Sequence, residues 1–176
     1  MSAALRQILD THEPLPALVL DRRWDVLDAN GAAWAMLGGI APHLLDPPIN
    51  VLRATLHPDG LAPRLLNLSQ WRSHLLHQLD RRIELTAAGA LIALRDEIRD
   101  YPVPASDEPL RLDSVVLPMV IRLEERTLSL FSVTAVLTAG DVTLDELTIE
   151  TFYPADDATA RHFADVPASQ HRSANP

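Results

Sequence analysis

Residues 48–79, PINVLRATLHPDGLAPRLLNLSQWRSHLLHQL, decide how this chain folds. The stretch reads as a short helix, a tight turn, an apolar connection and a longer helix. Asn50 is placed to N-cap the first helix, because its side-chain oxygen can accept from N–H groups that a helix start leaves without partners. Val51, Leu52, Thr55 and Leu56 then share one face. Pro58, Asp59 and Gly60 supply turn chemistry: a fixed φ, an Asx acceptor and a residue tolerant of positive φ. Asn67 or Ser69 is expected to cap the second helix.

At about 100° per residue, Leu68, Trp71, Leu75, Leu79 and Ile83 form one apolar stripe on that second helix, and Arg72 falls inside it. Three fates are open to such an arginine. It can snorkel, laying its stem on apolar surface with its head in water. It can enter a buried ion pair. Or its planar fork can receive an anionic ligand group at the mouth of an apolar cavity.

Toward the N-terminus, Ser2 to Thr11 reads as a short amphipathic helix with Leu5, Ile8 and Leu9 on one side. It stops before Pro14, which pushes the preceding residue out of the helical region. A helix this short must pack on the body or on another chain. Ala17 to Leu20 is a strand, Asp21-Arg22-Arg23 a turn, and Trp24, Val26 and Leu27 resume the strand pattern. Asn30 is an N-cap for a short helix ending at Gly38-Gly39. His43 to Pro48 is a proline-punctuated connection.

Toward the C-terminus, a third helix runs from beyond Thr86 to Arg99, with Leu91, Leu94 and Ile98 at helical spacing and Tyr101 just beyond. Pro102 to Pro109 is polar and proline-rich and is expected to be a mobile loop. Three strand-like runs follow: SVVLPMVIRLE (114–124), TLSLFSVTAVL (127–137) and DELTIETFY (145–153). In the first, Val115, Leu117, Met119, Ile121 and Leu123 share a face, and Pro118 implies an edge position or a bulge. Glu124-Glu125-Arg126 has no glycine, so a connection slightly longer than a tight primed turn is expected. In the second, Phe131, Val133, Ala135 and Leu137 oppose Leu130, Ser132, Thr134 and Val136. Both faces are substantially apolar, so one packs on helices and the other on a partner or terminal helix. Asp156 to Phe163 reads as a short closing helix, and Asp165 to Pro176 as a disordered tail. Two strands, a set of helices and three antiparallel strands make an α+β, PAS-like arrangement. Its sheet has about five strands, with the helices gathered on one face.

Composition narrows the chemistry. The 176 residues suffice for one domain with a real core, and a net charge of −9 argues against direct contact with nucleic acid. All fifteen basic residues are arginine, which removes lysine nucleophiles and Schiff bases. The lack of cysteine removes disulfides, iron–sulfur clusters and thiolate metal sites and fits a reducing cytoplasm. No leader opens the chain, and no apolar run approaches about 18 residues, so neither secretion nor membrane spanning is expected. His74, His77 and Asp80 have helical spacing but lie opposite the Trp71–Leu75 stripe, which makes them a solvated face, not a metal site. His57 is a capping or surface residue. Nucleophile elbows, phosphate-cradling glycine loops and dinucleotide fingerprints are missing from the sequence. Glu146 and Glu150 are read as one exposed strand face, without an acid/base role. No catalytic residue, metal ligand or cofactor is therefore expected, and the chain does not read as an enzyme.

Three blocks resemble the ligand-binding domain of MmyB-like transcription regulators. They are LPALVLDRRWDVLDANGAAWAML (15–37), NVLRATLHPDGLAPRLLNLSQWRSHLL (50–76) and LSLFSVTAVLTAGDVTLDELTIETFYPADDATA (128–160). These regulators are bacterial helix-turn-helix proteins of the XRE type with a PAS-like C-terminal half. The resemblance implies that residues 1–13 are the helix entering from a DNA-binding domain missing here. Residues 14–164 would be the ligand-binding domain and 165–176 a tail. It also implies a small apolar ligand, fatty-acid-like in at least some members, held between sheet and helices. Arg53, Trp71 and Arg72 match positions of the family's middle motif, although Arg53 projects only at the edge of its helix's apolar face. Apolar lining would come from Leu52, Leu56, Leu75, Met119, Phe131 and Val133, each of which also fits plain core. The expected function is a cytoplasmic sensor that binds an apolar carboxylic acid anchored by Arg72 and acts, as a homodimer, on an attached DNA-binding module. The rival is a PAS-like dimerisation module with a solid core.

Overall fold

The strands from the two ends of the chain meet in one sheet. In the computed structural model, which describes residues 3–103, 116–137 and 147–165, β1 (Ala17–Leu20) and β2 (Val26–Ala29) join β3 (Met119–Leu123), β4 (Arg126–Leu137) and β5 (Leu147–Pro154). The order is β2-β1-β5-β4-β3, antiparallel throughout. The helix α1 (Ala3–Thr11) precedes the sheet. Helices α2 (Gly31–Met36), α3 (Val51–Leu56), α4 (Leu68–Thr86) and α5 (Gly89–Asp100) lie between its two parts, and α6 (Asp157–Ala164) follows β5. This is the α+β, PAS-like fold. β3 is an edge strand entered from Pro118, where a missing N–H costs least.

Strand alternation sorts the core into two layers. Leu18, Leu20, Leu128, Leu130 and Phe152 pack with Leu52, Leu56, Trp71, Leu75, Leu79 and Ile98 of the helices. Ala17, Val19 and Ile149 point the other way and pack with Leu5 and Leu9 of α1. α1 is thus the exception to a one-sided arrangement, and covers the outer face of the sheet at β1 and β5.

Local signals set the caps. Asn30, 1% exposed, accepts from the N–H groups of Ala33 and Ala17, both at 3.0 Å, and donates to Leu15 O at 2.7 Å and Leu9 O at 3.3 Å. One amide therefore joins α1, β1 and α2. Asn50 caps α3 by accepting from Leu52 N and Arg53 N, and its Nδ2 donates to Arg23 O and Asp25 Oδ1 across the β1–β2 turn.

Three local expectations are corrected. Asn67 precedes α4 but makes no cap bond; its amide bridges to Pro118 O and Val120 N, fastening the helix start to the edge strand. Gly60 does not take positive φ. It is required because a Cβ there would lie 2.3 Å from Ala54 O. The β3–β4 turn is tight after all, with Leu123 paired to Arg126 and Glu124 itself in the left-handed region at φ 54°. Val115, Glu146, most of the Pro102–Pro109 segment and the tail beyond Asp165 lie outside the described residues. Among the described residues, no helix is long and apolar enough to cross a membrane.

Candidate functional site

Over its first three turns α4 is seated in the core through Leu68, Trp71, Leu75 and Leu79, all buried. Beyond them it stands off from the sheet, and a cavity of about 910 Å³ opens beneath it. Gln78, Arg81, Arg82 and Leu85 form the helix wall. Asp21 and Trp24 of the β1–β2 turn form a side, and Leu20, Thr134, Val136, Thr148 and Glu150 form the floor. The volume suits a small molecule.

The floor is two adjacent rungs of the sheet. Thr134 pairs with Glu150 and Glu150 with Leu18; Val136 pairs with Thr148 and Thr148 with Leu20. The next rung pairs Ser132 with Phe152, which belongs to the helix-side core. Parity then places Glu150 and Thr148 on the same inner face as Phe152. The reading of Glu150 as exposed is thereby overturned: it is 8% exposed. Burial pushes its carboxyl above the ordinary range, against a smaller opposing effect of a hydrogen bond with Ser132.

Two of the lining residues, Trp24 and Thr148, each carry a buried polar atom without a hydrogen-bond partner, Nε1 and Oγ1. Both residues are buried, at 8% and 6% exposure. Trp24 also carries φ 68°, a conformation costing on the order of 1 kcal/mol or more. Its turn is held by Asp21 Oδ1, which accepts from Arg23 N at 2.7 Å and Asp25 N at 2.9 Å. Sequence reasoning missed Trp24, Thr148, Glu150, Arg81 and Arg82. The only available signal was polar residues recurring at every second position next to Phe152.

The nine residues expected to hold a ligand are placed elsewhere. Leu52, Leu56, Trp71, Leu75 and Met119 are buried in the core. Phe131 and Val133 stand on the outer face of β4, where Phe131 stacks on Tyr153 at 5.6 Å and Val133 is 48% exposed. Their parity is opposite to that of Leu130, so they cannot line a space between helices and sheet. Arg53 makes a two-pronged pair with Glu97, Nε to Oε1 at 2.8 Å and Nη2 to Oε2 at 2.7 Å, and Tyr101 donates to the same carboxylate. Arg53 holds the Glu97 carboxyl below its ordinary range.

Arg72 ties two helices together. Its Nη2 donates to Ile98 O at 2.9 Å and Arg99 O at 2.7 Å. These are carbonyls of the last turn of α5, which a helix cannot satisfy itself. Burial lowers the guanidinium's pKa, and its Nε is buried without a partner. The fork is a tie between helices, and Arg72 is not among the residues that line the cavity.

His74, His77 and Asp80 do not converge. His74 lies against Trp71, at 5.2 Å between ring centroids, and Asp80 pairs with Arg95 and Arg99 of α5. The group that does converge among the described residues is His43, His57 and Asp59, with ligand atoms within 4.8 Å of one another. His57 Nδ1 is already engaged there, accepting from Asp59 N at 3.0 Å.

No curated protein and no solved structure matches the chain. The family model of the MmyB-like transcription regulator ligand binding domain matches residues 1–165. With a sheet, a helix standing off it and a small-molecule-sized cavity between them, the chain belongs to that family of regulatory ligand-binding domains.

Proposed function

We propose that the cavity between α4 and the sheet holds a small ligand with a substantial apolar part, fatty-acid-like in character, and that occupancy shifts an attached helix-turn-helix DNA-binding module between two states. The shift requires different affinities of ligand for the two states. The observation that supports this reading is the 910 Å³ space itself, beneath the C-terminal half of α4. Arg72 Nη2 donates to carbonyls, and the cations on the cavity's helix wall, where an acidic head would lie, are Arg81 and Arg82.

A route to the DNA-binding module is built in. Residues 1–13 would be the segment entering from that module. α1 packs on β1, and Asn30 bonds both Leu9 O of α1 and Ala17 N of β1. Leu20, at the end of β1, lies in the cavity floor. A regulator with this output works in the cytoplasm. A homodimer is the second part of the proposal, supported by the outer face of β4, where Val133 and Leu137 are 48% and 36% exposed beside the area covered by α1.

Denaturing the purified protein and identifying released lipids by mass spectrometry tests the ligand. A carried lipid, or a rise in melting temperature with added fatty acids, is expected. An empty extract together with no stabilisation would sink the proposal. Sedimentation as a monomer at micromolar concentration would remove the dimer alone.

A further inference from the structure

Two segments of the chain bring two imidazoles and a carboxylate together away from the cavity. His43 lies in the short helical turn Pro42–Leu44, His57 directly follows α3, and Asp59 is two residues further on. One ligand atom from each lies within 4.8 Å of the other two. None of the three residues lines the cavity beneath α4. Spacing along the chain does not announce the group, because the fold alone joins its two segments.

The frame beneath these side chains is fixed by backbone bonds. Ala41 N, just before the His43 turn, donates to Asp59 O at 2.9 Å, and Gly60 N donates to His57 O at 2.8 Å. Leu61 N donates back to Ala54 O of α3 at 2.9 Å, against which Gly60 leaves no room for a Cβ. Leu44, 7% exposed, seats the His43 turn in the core.

Proton placement also favours a cation. Asp59 N–H can only donate, so His57 Nδ1, its partner at 3.0 Å, is the unprotonated nitrogen of that ring, with its lone pair toward the Asp59 turn. Asp59 Oδ2 lies 3.8 Å from the same Nδ1. A carboxylate and an imidazole lone pair have no proton to share, and a positive ion between them meets both. Two ligand atoms about 2.1 Å from one tetrahedral zinc ion lie about 3.4 Å apart, so a small rotation of the exposed carboxylate suffices. The ion replaces the Asp59 N–H at Nδ1, and that N–H belongs to an exposed turn residue, where water can accept from it. The exposed His43 ring stands edge-on to His57 with 5.5 Å between centroids, and supplies the third donor. Tyr101, whose hydroxyl donates to Glu97, packs edge-on against His57 at 5.0 Å and steadies its ring.

We infer that His43, His57 and Asp59 bind a divalent transition-metal ion of zinc type through two imidazole nitrogens and one carboxylate oxygen, with water completing the tetrahedron. Imidazole and carboxylate donors suit zinc, cobalt and nickel rather than copper(I), which prefers sulfur. The site is separate from the cavity, and its existence does not depend on what the cavity holds.

Calorimetric titration of the full chain, first dialysed against EDTA, with zinc chloride tests the inference. One ion per chain is expected, with a dissociation constant in the micromolar range, and cobalt(II) in its place should give the visible absorption of a four-coordinate ion. His43→Ala should weaken zinc binding by more than about tenfold, the loss that removal of even an outer-shell partner can give. Asp59→Asn, which keeps the backbone N–H and the turn, should weaken it by about tenfold or more. His77→Ala, on the α4 face where His74 and His77 do not converge, should leave it unchanged. Zinc should raise the melting temperature of the unaltered chain and not that of His43→Ala; circular dichroism checks that each variant is folded, and the stoichiometry and cobalt spectrum of the unaltered chain need no variant. Failure of the unaltered chain to bind zinc, or equal affinity in the unaltered chain, His43→Ala and Asp59→Asn, would overturn the inference.

Discussion

The two halves of α4 lie over one sheet and meet it differently. Through Leu68, Trp71, Leu75 and Leu79 the helix is part of a dry core, above Met119, Ile121, Leu128 and Leu130. From Gln78 onward it is a wall over a cavity whose floor is Thr134, Val136, Thr148 and Glu150. The helix's apolar stripe fades rather than stops: Ile83 is half-buried, and Leu85 is 86% exposed. The sharper change is on the strands, where the inner face turns from aliphatic to polar within a few residues of β4 and β5. A helix stripe therefore marks core only as far as the facing sheet answers it, and the site begins where the answer changes.

The largest test of this contrast is Leu79→Ala in the dry half. Leu79 is fully buried, so the truncation should cost about 2–5 kcal/mol in urea unfolding. A loss under about 1 kcal/mol would mean that this half is not the close-packed one.

Next in size is Arg72→Ala. It releases two carbonyls at the end of α5 and should cost about 1–2 kcal/mol, while leaving ligand affinity unchanged. A large drop in affinity with little loss of stability would return Arg72 to the ligand site.

In the cavity half the sign reverses. Burial raises the Glu150 pKa in the folded protein above the ordinary 4.5, so the folded state holds its proton more tightly than the unfolded chain. Stability from this group is full below pH 4.5 and falls as pH rises through the folded value. Glu150→Gln abolishes that fall. Its melting temperature should exceed that of the unaltered protein by a margin that widens from acid to neutral pH; a margin that narrows would refute the buried setting. The smallest effect is expected for Leu85→Ala, within about 0.5 kcal/mol. It is the same truncation as at Leu79, on the same helix, with opposite outcome.

Much of the fold was legible because its signals are local. Asn30 and Asn50 announce helix starts by residue type, Pro118 an edge strand, and Leu91, Leu94 and Ile98 a helix by spacing. Where a local signal misled, a distant group had taken it over. Asn67 looks like a cap, yet its amide is drawn to Pro118 and Val120. The site was less legible still. Phe131, Val133 and Ala135 alternate with Ser132, Thr134 and Val136, and apolarity favours the first set for the inside; the register puts Thr134 and Val136 of the second set in the cavity floor.

Residue order and chemistry by themselves determined the sequence of elements, the α+β class, the acidic character and the family blocks, since each depends on neighbours a few positions apart or on simple counts. Tertiary structure alone decided which parity of β4 and β5 faces the helices, where α4 parts from the sheet and what the fork of Arg72 reaches. Those outcomes depend on how side chains from Leu20, Arg81 and Glu150 share one volume. Three-dimensional packing settles that, and no short window of the chain contains it.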